Sequence, residues 1–500
     1  MASIDADVAV LGAGPAGATV ANRLARMGYE VQLFETSAFP RRHVGESLHA
    51  QVLSLFDQLG VREEMHYAGF LRPRGALVLW AGERRLRTDV ANGFQVDRGR
   101  FDQILLKAAK IAGAKIAQPA RVTHFTHPGA GSWCLTVMEG GASRFFNCRF
   151  VVDASGRNGC LPGRRLRIQP PTIALYAYWH DADISSDLGG DETLIEACND
   201  QWYWAAPLPD GSVNATVFVD PTRCKMTGGF NVTDFYLRLL HDSTLLSGCL
   251  DGQMATPVRA CAATASHIEN PIGQDWMKIG EAAFTLDPLS SQGVQNAIMG
   301  GLQAAAVVNT ILGYPDCRAV AMRFCRDRLK EVAEEHAATA ARFYRQQASV
   351  TPSSFWNGRA SAGLQDLNGA TPRVSGQSVP LVLDALLQLN PLTHRQQIPA
   401  LLEDRITLQT ALLLPGHRPT IWLEGQSLSE LLEWPRPHMT ARVLLESWSE
   451  ALRSDRALRI LWWLYDNGFL IQARSEPSGF VADINSSQSE GRFCNENQPI

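Results

Sequence analysis

"ADVAVLGAGPAGATVANRLARMGYEVQLFE", residues 6–35, decides the fold. A short β-branched run ends in a glycine turn, a helical pattern follows, and a second apolar run closes on an acid. Gly12 suits the tight turn, Gly14 lets the backbone approach a pyrophosphate, and Gly17 lets helix and strand pack closely. The helix then aims its free N–H groups and positive dipole end at the phosphates. Glu35 ends the second strand, where a carboxylate accepts from ribose hydroxyls and would repel a phosphorylated ribose. A lone G-x-G-x-x-G is weak, because glycine turns are common. The order strand–turn–helix–strand–acid makes it a dinucleotide cradle.

The bulk composition is that of an ordinary globular chain. Five hundred residues, 45% hydrophobic and 19% charged with a net charge of −4, exceed one simple core and suggest about two or three domains. No concentrated basic face is evident, so nucleic acid is not an expected partner. No uninterrupted apolar run reads as a bilayer span, so no membrane is expected. "MASIDADVAVLGAG" carries acids where a secretory signal would be basic and runs straight into a strand, which points to a cytoplasmic location. The ten cysteines form no C-x-x-C pair and no His/Cys cluster at zinc spacing. They read as reduced thiols, with no metal site.

Three downstream segments identify the nucleotide. "VDRGRFDQILLKAAKIAGAKI" (96–116) is a turn followed by an amphipathic helix, and "CRFVVDASGR" (148–157) is a buried strand ending in a glycine turn. "WMKIGEAAFTLDPLSSQGVQNAIMGGLQAA" (276–305) is a strand, a loop bearing proline and glycine, and a long small-residue helix. In this order they resemble the FAD-dependent aromatic hydroxylase superfamily, whose last segment reads G-D-A-A with a later P-x-x-x-x-G. Gly280 is retained, Glu281 stands where the family has Asp, and Pro288, Gly293 and Asn296 follow at the family spacing. The resemblance implies FAD, held in an α/β, Rossmann-like domain with an interleaved antiparallel substrate sheet. The helix from Gly293 would point its positive end at the pyrimidine edge of the flavin, stabilising the reduced anion.

"FPRRHVGESLHAQVLSLFDQLG" (39–60) narrows the group. Its "VGES", preceded by Arg41, Arg42 and His43, resembles the strap of the flavin-dependent halogenase-like branch. That likeness implies Arg42, Ser47 and the later Arg98 as cofactor neighbours. The same branch carries W-x-W-x-I-P near the flavin. "DQWYWAAPLPDGS" (200–212) matches it at Trp202, Trp204 and Pro207, with Ala206 in place of isoleucine. Core packing accounts for these tryptophans equally well, because alternating large residues also mark a half-buried strand. "FYRQQASVTPSSFWNGR" (343–359) adds an aromatic-rich helix end, and the resemblance spans residues 5–360.

Halogenation in this branch implies a lysine after "GES" that captures hypohalous acid. This chain has no lysine before Lys107. "GFLRPRGALVLWAGERRLR" (69–87) offers Arg72, Arg74, Arg84, Arg85 and Arg87, and arginine is neither a nucleophile nor readily deprotonated. Arg74 is kept as a substrate-pocket candidate beside Trp202 and Trp204. The branch also holds monooxygenases that modify tryptophan on the way to quinone cofactors in partner polypeptides. The expected activity is therefore hydroxylation of an aromatic ring, with a polypeptide substrate. A halogenase is the alternative, and a non-catalytic binding module on a flavin fold is the alternative of another class. His43, Glu46 and Asp287 would lie nearest the flavin as candidate catalytic groups, each with a plain alternative as a turn or cap residue. The "GAG" at 129–131 follows "THFTHP", which reads as neither strand nor helix start. One nucleotide fingerprint remains, so reduced flavin comes from a separate flavin reductase or from NAD(P)H.

Residues 1–360 form the FAD-binding monooxygenase domain on this reading. Alternation over about 165–265, as in "TIALYAYWHDADI", predicts the substrate-layer sheet. Residues 361–395 are a turn-rich linker. Residues 396–475 predict two strands, three helices and a terminal strand, a mainly helical, winged-helix-like domain that recognises substrate or braces the fold. Glu430, Glu433 and Glu446 argue against DNA there. The polar tail 476–500 is expected to be disordered.

Overall fold

The computed structural model describes residues 3–88, 93–129, 131–184, 190–224, 231–362, 380–432, 439–449 and 452–473. The chain divides into two units, Met1–Ala370 with Ile398–Gln409, and Thr371–Gln397 with Thr410–Ile500. About half of the expected linker (363–379) and the whole of the expected tail lie outside the described residues.

In the first unit, β1 (Ala6–Leu11) is a run of small and branched residues buried on both faces, as a central parallel strand requires. It pairs in parallel with β2 (Val31–Phe34), which pairs with Lys115–Ala117. On its other side β1 pairs in parallel with Ala142–Asp153, which also pairs with Trp276–Lys278. Helix α1 (Pro15–Arg26) begins with proline at its first position, where the missing N–H costs nothing. Helix α2 spans Arg98–Ile111 and is capped by Asp97, whose carboxylate accepts from the Arg100 N–H at 2.6 Å. Ala120–Gly129 and Ser132–Glu139 extend the sheet as an antiparallel hairpin. That corrects the reading of "THFTHP", which is strand. Its "GAG" turns into another strand and not into a helix, so it forms no second cradle.

The second sheet of this unit is an eight-stranded antiparallel layer with one parallel pair. Its centre is Ile173–His180, Val213–Val219, Gln201–Pro207 and Thr193–Ala197. It is wider than predicted, because Ala76–Trp80 and Glu83–Arg87 join it from earlier in the chain. One face of this layer packs Tyr203, Leu175 and Val217 against the helix Val232–His241. The other carries Trp202, Trp204 and Phe218 toward the long helix α4 (Arg318–Val350).

Helix α3 (Gly293–Gly313) packs on α1, where Gly301 meets Ala16 and Thr19. Contrary to the expectation that no segment could span a bilayer, α3 is long and apolar enough by length and composition. Its apolarity comes from the alanines, valines and isoleucines it buries in the core of this unit. The nine described cysteines are all free.

The second unit has its own core of Leu387, Leu412, Trp448, Ile460, Leu464 and Phe469. The helices Leu428–Leu431, Ala441–Trp448 and Ser454–Asp466 precede the strand Leu470–Gln472, in the predicted order. Its boundary departs from the expected 396. Residues Ile398–Gln409 belong to the first unit, where Ile406 is fully buried and its N–H donates to Thr310 Oγ1 at 2.8 Å.

Candidate flavin and substrate site

A cavity of about 1210 Å³ runs through the first unit from the glycine turn to the substrate sheet. Gly12 takes φ +100°, and a Cβ there would lie 2.6 Å from the Ala154 carbonyl oxygen. A Cβ at Gly17 would collide with the Gly12 carbonyl oxygen. Packing demands both glycines. Gly14 is different, since the nearest atom to its Cβ position is Arg41 Nη2 at 3.8 Å and the space beyond is cavity. Glu35 lines the same cavity and braces the turn. Its Oε2 accepts from Ala13 N–H at 2.7 Å and its Oε1 from Ser37 N–H at 2.8 Å.

The strap from Arg41 to Ser47 forms a second side. Arg98 is buried and makes a two-pronged pair with Asp102 at 3.0 and 3.1 Å, while Nη1 donates to the Val44 carbonyl at 2.6 Å. Burial alone would lower the Arg98 pKa, but the Asp102 charge outweighs it and the guanidinium is held above its usual value. Ser47 accepts from Gln95 Nε2 at 3.2 Å, and the Arg42 guanidinium sits 5.6 Å above the Tyr178 ring.

Glu46 ties the strap to the substrate sheet. Its Oε1 accepts from Tyr178 OH at 2.7 Å and Asn214 Nδ2 at 3.0 Å, and its Oε2 accepts from Gly45 N–H at 2.8 Å. Burial and the adjacent Glu46 charge push the Tyr178 phenol far above its ordinary range, so it remains a donor.

The third side is the loop into α3. Lys278 is buried, donates to Asp153 Oδ2 at 3.2 Å and also to the Leu161 carbonyl, and so fixes the 153–161 turn. Glu281 pairs with Arg157 at 2.8 Å. Arg165 Nη2 donates to the Glu281 and Ala282 carbonyls, both at 2.9 Å. Pro288, Gly293 and Asn296 all line the cavity.

The three candidate catalytic groups separate on geometry. Asp287 caps the turn Pro288–Ser290 through the Leu289 N–H at 2.9 Å, and both its oxygens accept from Tyr344 OH. Burial raises its pKa, and those donors offset part of the rise. Glu46 has three donors on two oxygens. His43 donates from Nδ1 to the Val44 carbonyl at 2.9 Å, which leaves Nε2 as an acceptor. Desolvation and the Arg98 and Arg41 charges lower its pKa, so the ring is neutral at neutral pH. Of these three candidates, His43 alone combines a place in the cavity lining with an uncommitted basic atom.

Sheet register builds the substrate wall. Ala174, Phe218 and Trp202 form one row, Tyr176, Thr216 and Trp204 the next, and Tyr178, Asn214 and Ala206 the third. The two tryptophans, left undecided by the sequence, split. Trp204 lines the cavity, whereas Trp202 is buried outside it, stacked on Phe218 with ring centroids 3.8 Å apart. Arg74 does not belong to the pocket: it is 70% exposed and lies 3.8 Å from Asp191. Sequence reasoning missed Arg157, Tyr178, Asn214 and Lys278. Alternation placed Tyr178 and Asn214 on predictable faces, but only register brings those faces together.

The cavity fits FAD on its own features: an open glycine cradle, the α1 and α3 N-termini, and a volume exceeding a dinucleotide's. Residues 5–178 match the FAD binding domain family. The chain is 32% identical to a tryptophan 2-halogenase from Chondromyces crocatus over 61% of either chain, so it spans about three-fifths of that relative's length. Among solved structures, the flavin-dependent halogenase CmlS superposes with a TM-score of 0.75 at 21% identity, covering 95% of this chain and 99% of that one. The peptidyl tryptophan dihydroxylase QhpG superposes at 0.69 with 25% identity, covering 93% and 99%. The chain therefore carries an FAD binding domain and resembles flavin-dependent halogenases in sequence and in fold.

Proposed function

We propose that the protein is an FAD-dependent monooxygenase that hydroxylates an aromatic ring with O2, the ring being a tryptophan side chain in a partner polypeptide. The observation that carries hydroxylation is the position of lysine. Among the described residues lining the cavity, the one lysine is Lys278, and its ammonium is committed to Asp153 and Leu161. The wall of Tyr176, Trp204, Asn214, Thr216 and Phe218 has none, and Arg72 and Arg74 do not line the cavity. A polypeptide substrate is supported by QhpG, whose name ties it to peptidyl tryptophan and tryptophylquinone biogenesis.

FAD bound here, once reduced through a separate flavin reductase or by NAD(P)H, would activate O2 for transfer to the ring. The chain provides the surroundings. Trp204 and Phe218 form a rigid apolar wall that excludes water and orients the ring. The Tyr178–Glu46–Asn214 bonds hold the strap against that wall. His43 Nε2 accepts the proton released as the substituted ring regains aromaticity.

Halogenation is the second reading, favoured by the name of the 32% identical relative. One experiment separates them. The FAD-loaded protein, a flavin reductase, NADH, O2 and tryptophan-containing polypeptides are incubated with chloride and bromide, and product masses are read. Products should gain oxygen, and a bromine isotope doublet would overturn the proposal.

A further inference from the structure

Asn296, in the first turn of α3, lines the cofactor cavity, and His336 on α4 lies behind it, outside that lining. Asn296 Nδ2 lies 3.1 Å from the Gln292 carbonyl oxygen and 3.3 Å from His336 Nε2. A backbone carbonyl only accepts, so the atom facing Gln292 is the amide nitrogen, and its second hydrogen points at His336. Nε2 must then be unprotonated, with the imidazole proton on Nδ1. Both amide hydrogens are used, and the group Asn296 has left for the cavity is its carbonyl oxygen.

We infer that His336 is a positioning residue for the flavin cradle: its neutral imidazole, accepting from Asn296, turns the Asn296 carbonyl toward the cofactor, and protonation of His336 releases it. An imidazolium would set N–H against N–H₂, and the amide would have to turn.

The surroundings keep the ring neutral. His336 is half-buried, with the Phe284 ring centroid 6.2 Å from its own. Desolvation lowers its pKa, the Glu335 charge on its own helix opposes this, and Arg328 adds to it. The void of about 10 Å³ that His336 lines is also lined by Asp287 and, from a separate segment, by the uncharged Gln169. The contacting turn of α3 contributes only Gln292 and Asn296, neither of which titrates. With a lowered pKa, the acceptor is present above the ordinary histidine range and is lost as pH falls through the folded value. FAD affinity should therefore weaken on the acid side, by about the five-fold that one hydrogen bond is worth.

The inference rests on FAD filling this cavity, and its test reads binding and not turnover. Apo-protein is titrated with FAD, followed by flavin fluorescence, between pH 8 and pH 5. His336→Gln keeps a non-titrating acceptor, so it should bind like wild type at pH 8 and lose less affinity in acid. His336→Leu should bind about five-fold more weakly at pH 8. His43 also titrates in this cavity, but its contribution is common to all three proteins and cancels in the comparison. His336→Gln losing as much affinity in acid as wild type would overturn the inference, as would full affinity in His336→Leu at pH 8. If the leucine variant fails to fold, the glutamine profile still decides. Independently, nitrogen NMR of the His336 ring should show the Nδ1–H form at pH 7.5, and an Nε2–H form would overturn the inference. A wild-type protein that binds no FAD at any pH would sink the cofactor reading instead, and the ring tautomer would still decide this one.

Discussion

The cradle at Gly12, Gly14 and Gly17 takes its shape largely from one continuous strand–turn–helix. The wall at Trp204 is assembled from strands scattered between residues 76 and 262. In the cradle, steric contacts over a few residues dictate identity, and a Cβ at Gly12 or Gly17 has nowhere to go. In the wall, what a side chain does depends on which strand lies beside it. Trp202 and Trp204 share a strand and a face, yet one belongs to the core and the other to the cavity. The comparison teaches that a motif can be read where the backbone enforces it and only guessed where register does.

The largest expected effect separates two glycines of the cradle. Gly14→Glu projects a carboxylate into open cavity, so FAD affinity should fall about 100-fold or more through lost space and like charge. The apo-protein should melt as wild type does. Gly17→Ala should do the reverse, destabilising the apo-protein by about 2–3 kcal/mol, because the methyl meets backbone that cannot yield. Melting curves and FAD titrations of both variants check this. A stable Gly17→Ala protein, or a Gly14→Glu protein that stays yellow, would break the assignment of roles within the turn.

The wall should divide in the same manner. Trp202→Ala removes a fully buried ring stacked on Phe218 and should cost about 3–5 kcal/mol in denaturant unfolding. Trp204→Ala opens the cavity, and should cost less stability while lowering product yield with FAD still bound. If the two variants lose stability equally and neither changes product yield, both tryptophans are core residues.

Much of the cradle was legible because glycine spacing, helix start and strand end are local properties of the chain. The strap and the loop at Gly280 were legible through resemblance, and their residues do line the cavity. Tyr178 and Asn214 were not, because alternation reveals a face without revealing its neighbour. Arg74 misled for the opposite reason: it follows the strap closely in sequence, but it sits outside the cavity and faces Asp191. The segment Ile398–Gln409, with Ile406, falls in the second domain by order along the chain. Its burial against the first unit is a tertiary contact that no local pattern announces.

The smallest effect concerns Glu281, where this chain carries glutamate and the resembling superfamily aspartate. Burial alone would raise its carboxyl, but the Arg157 charge and hydrogen bond, joined by the Arg98 charge, outweigh burial and hold it below the ordinary range. A depressed folded pKa stabilises the protein above the unfolded carboxyl value, and that contribution is lost as pH falls through the folded value. The side chain is 40% exposed and Arg157 30%, so solvent screening limits the pair to a fraction of a kcal/mol, about 0.5. Glu281→Gln should therefore lower the melting temperature slightly at pH 7. Its curve should converge on wild type only as pH falls below the depressed folded value, where the wild-type carboxyl is also neutral. Equal melting temperatures at both pH values would mean that the pair contributes nothing measurable to stability. A loss persisting unchanged in acid would place the role of Glu281 in packing and not in its charge.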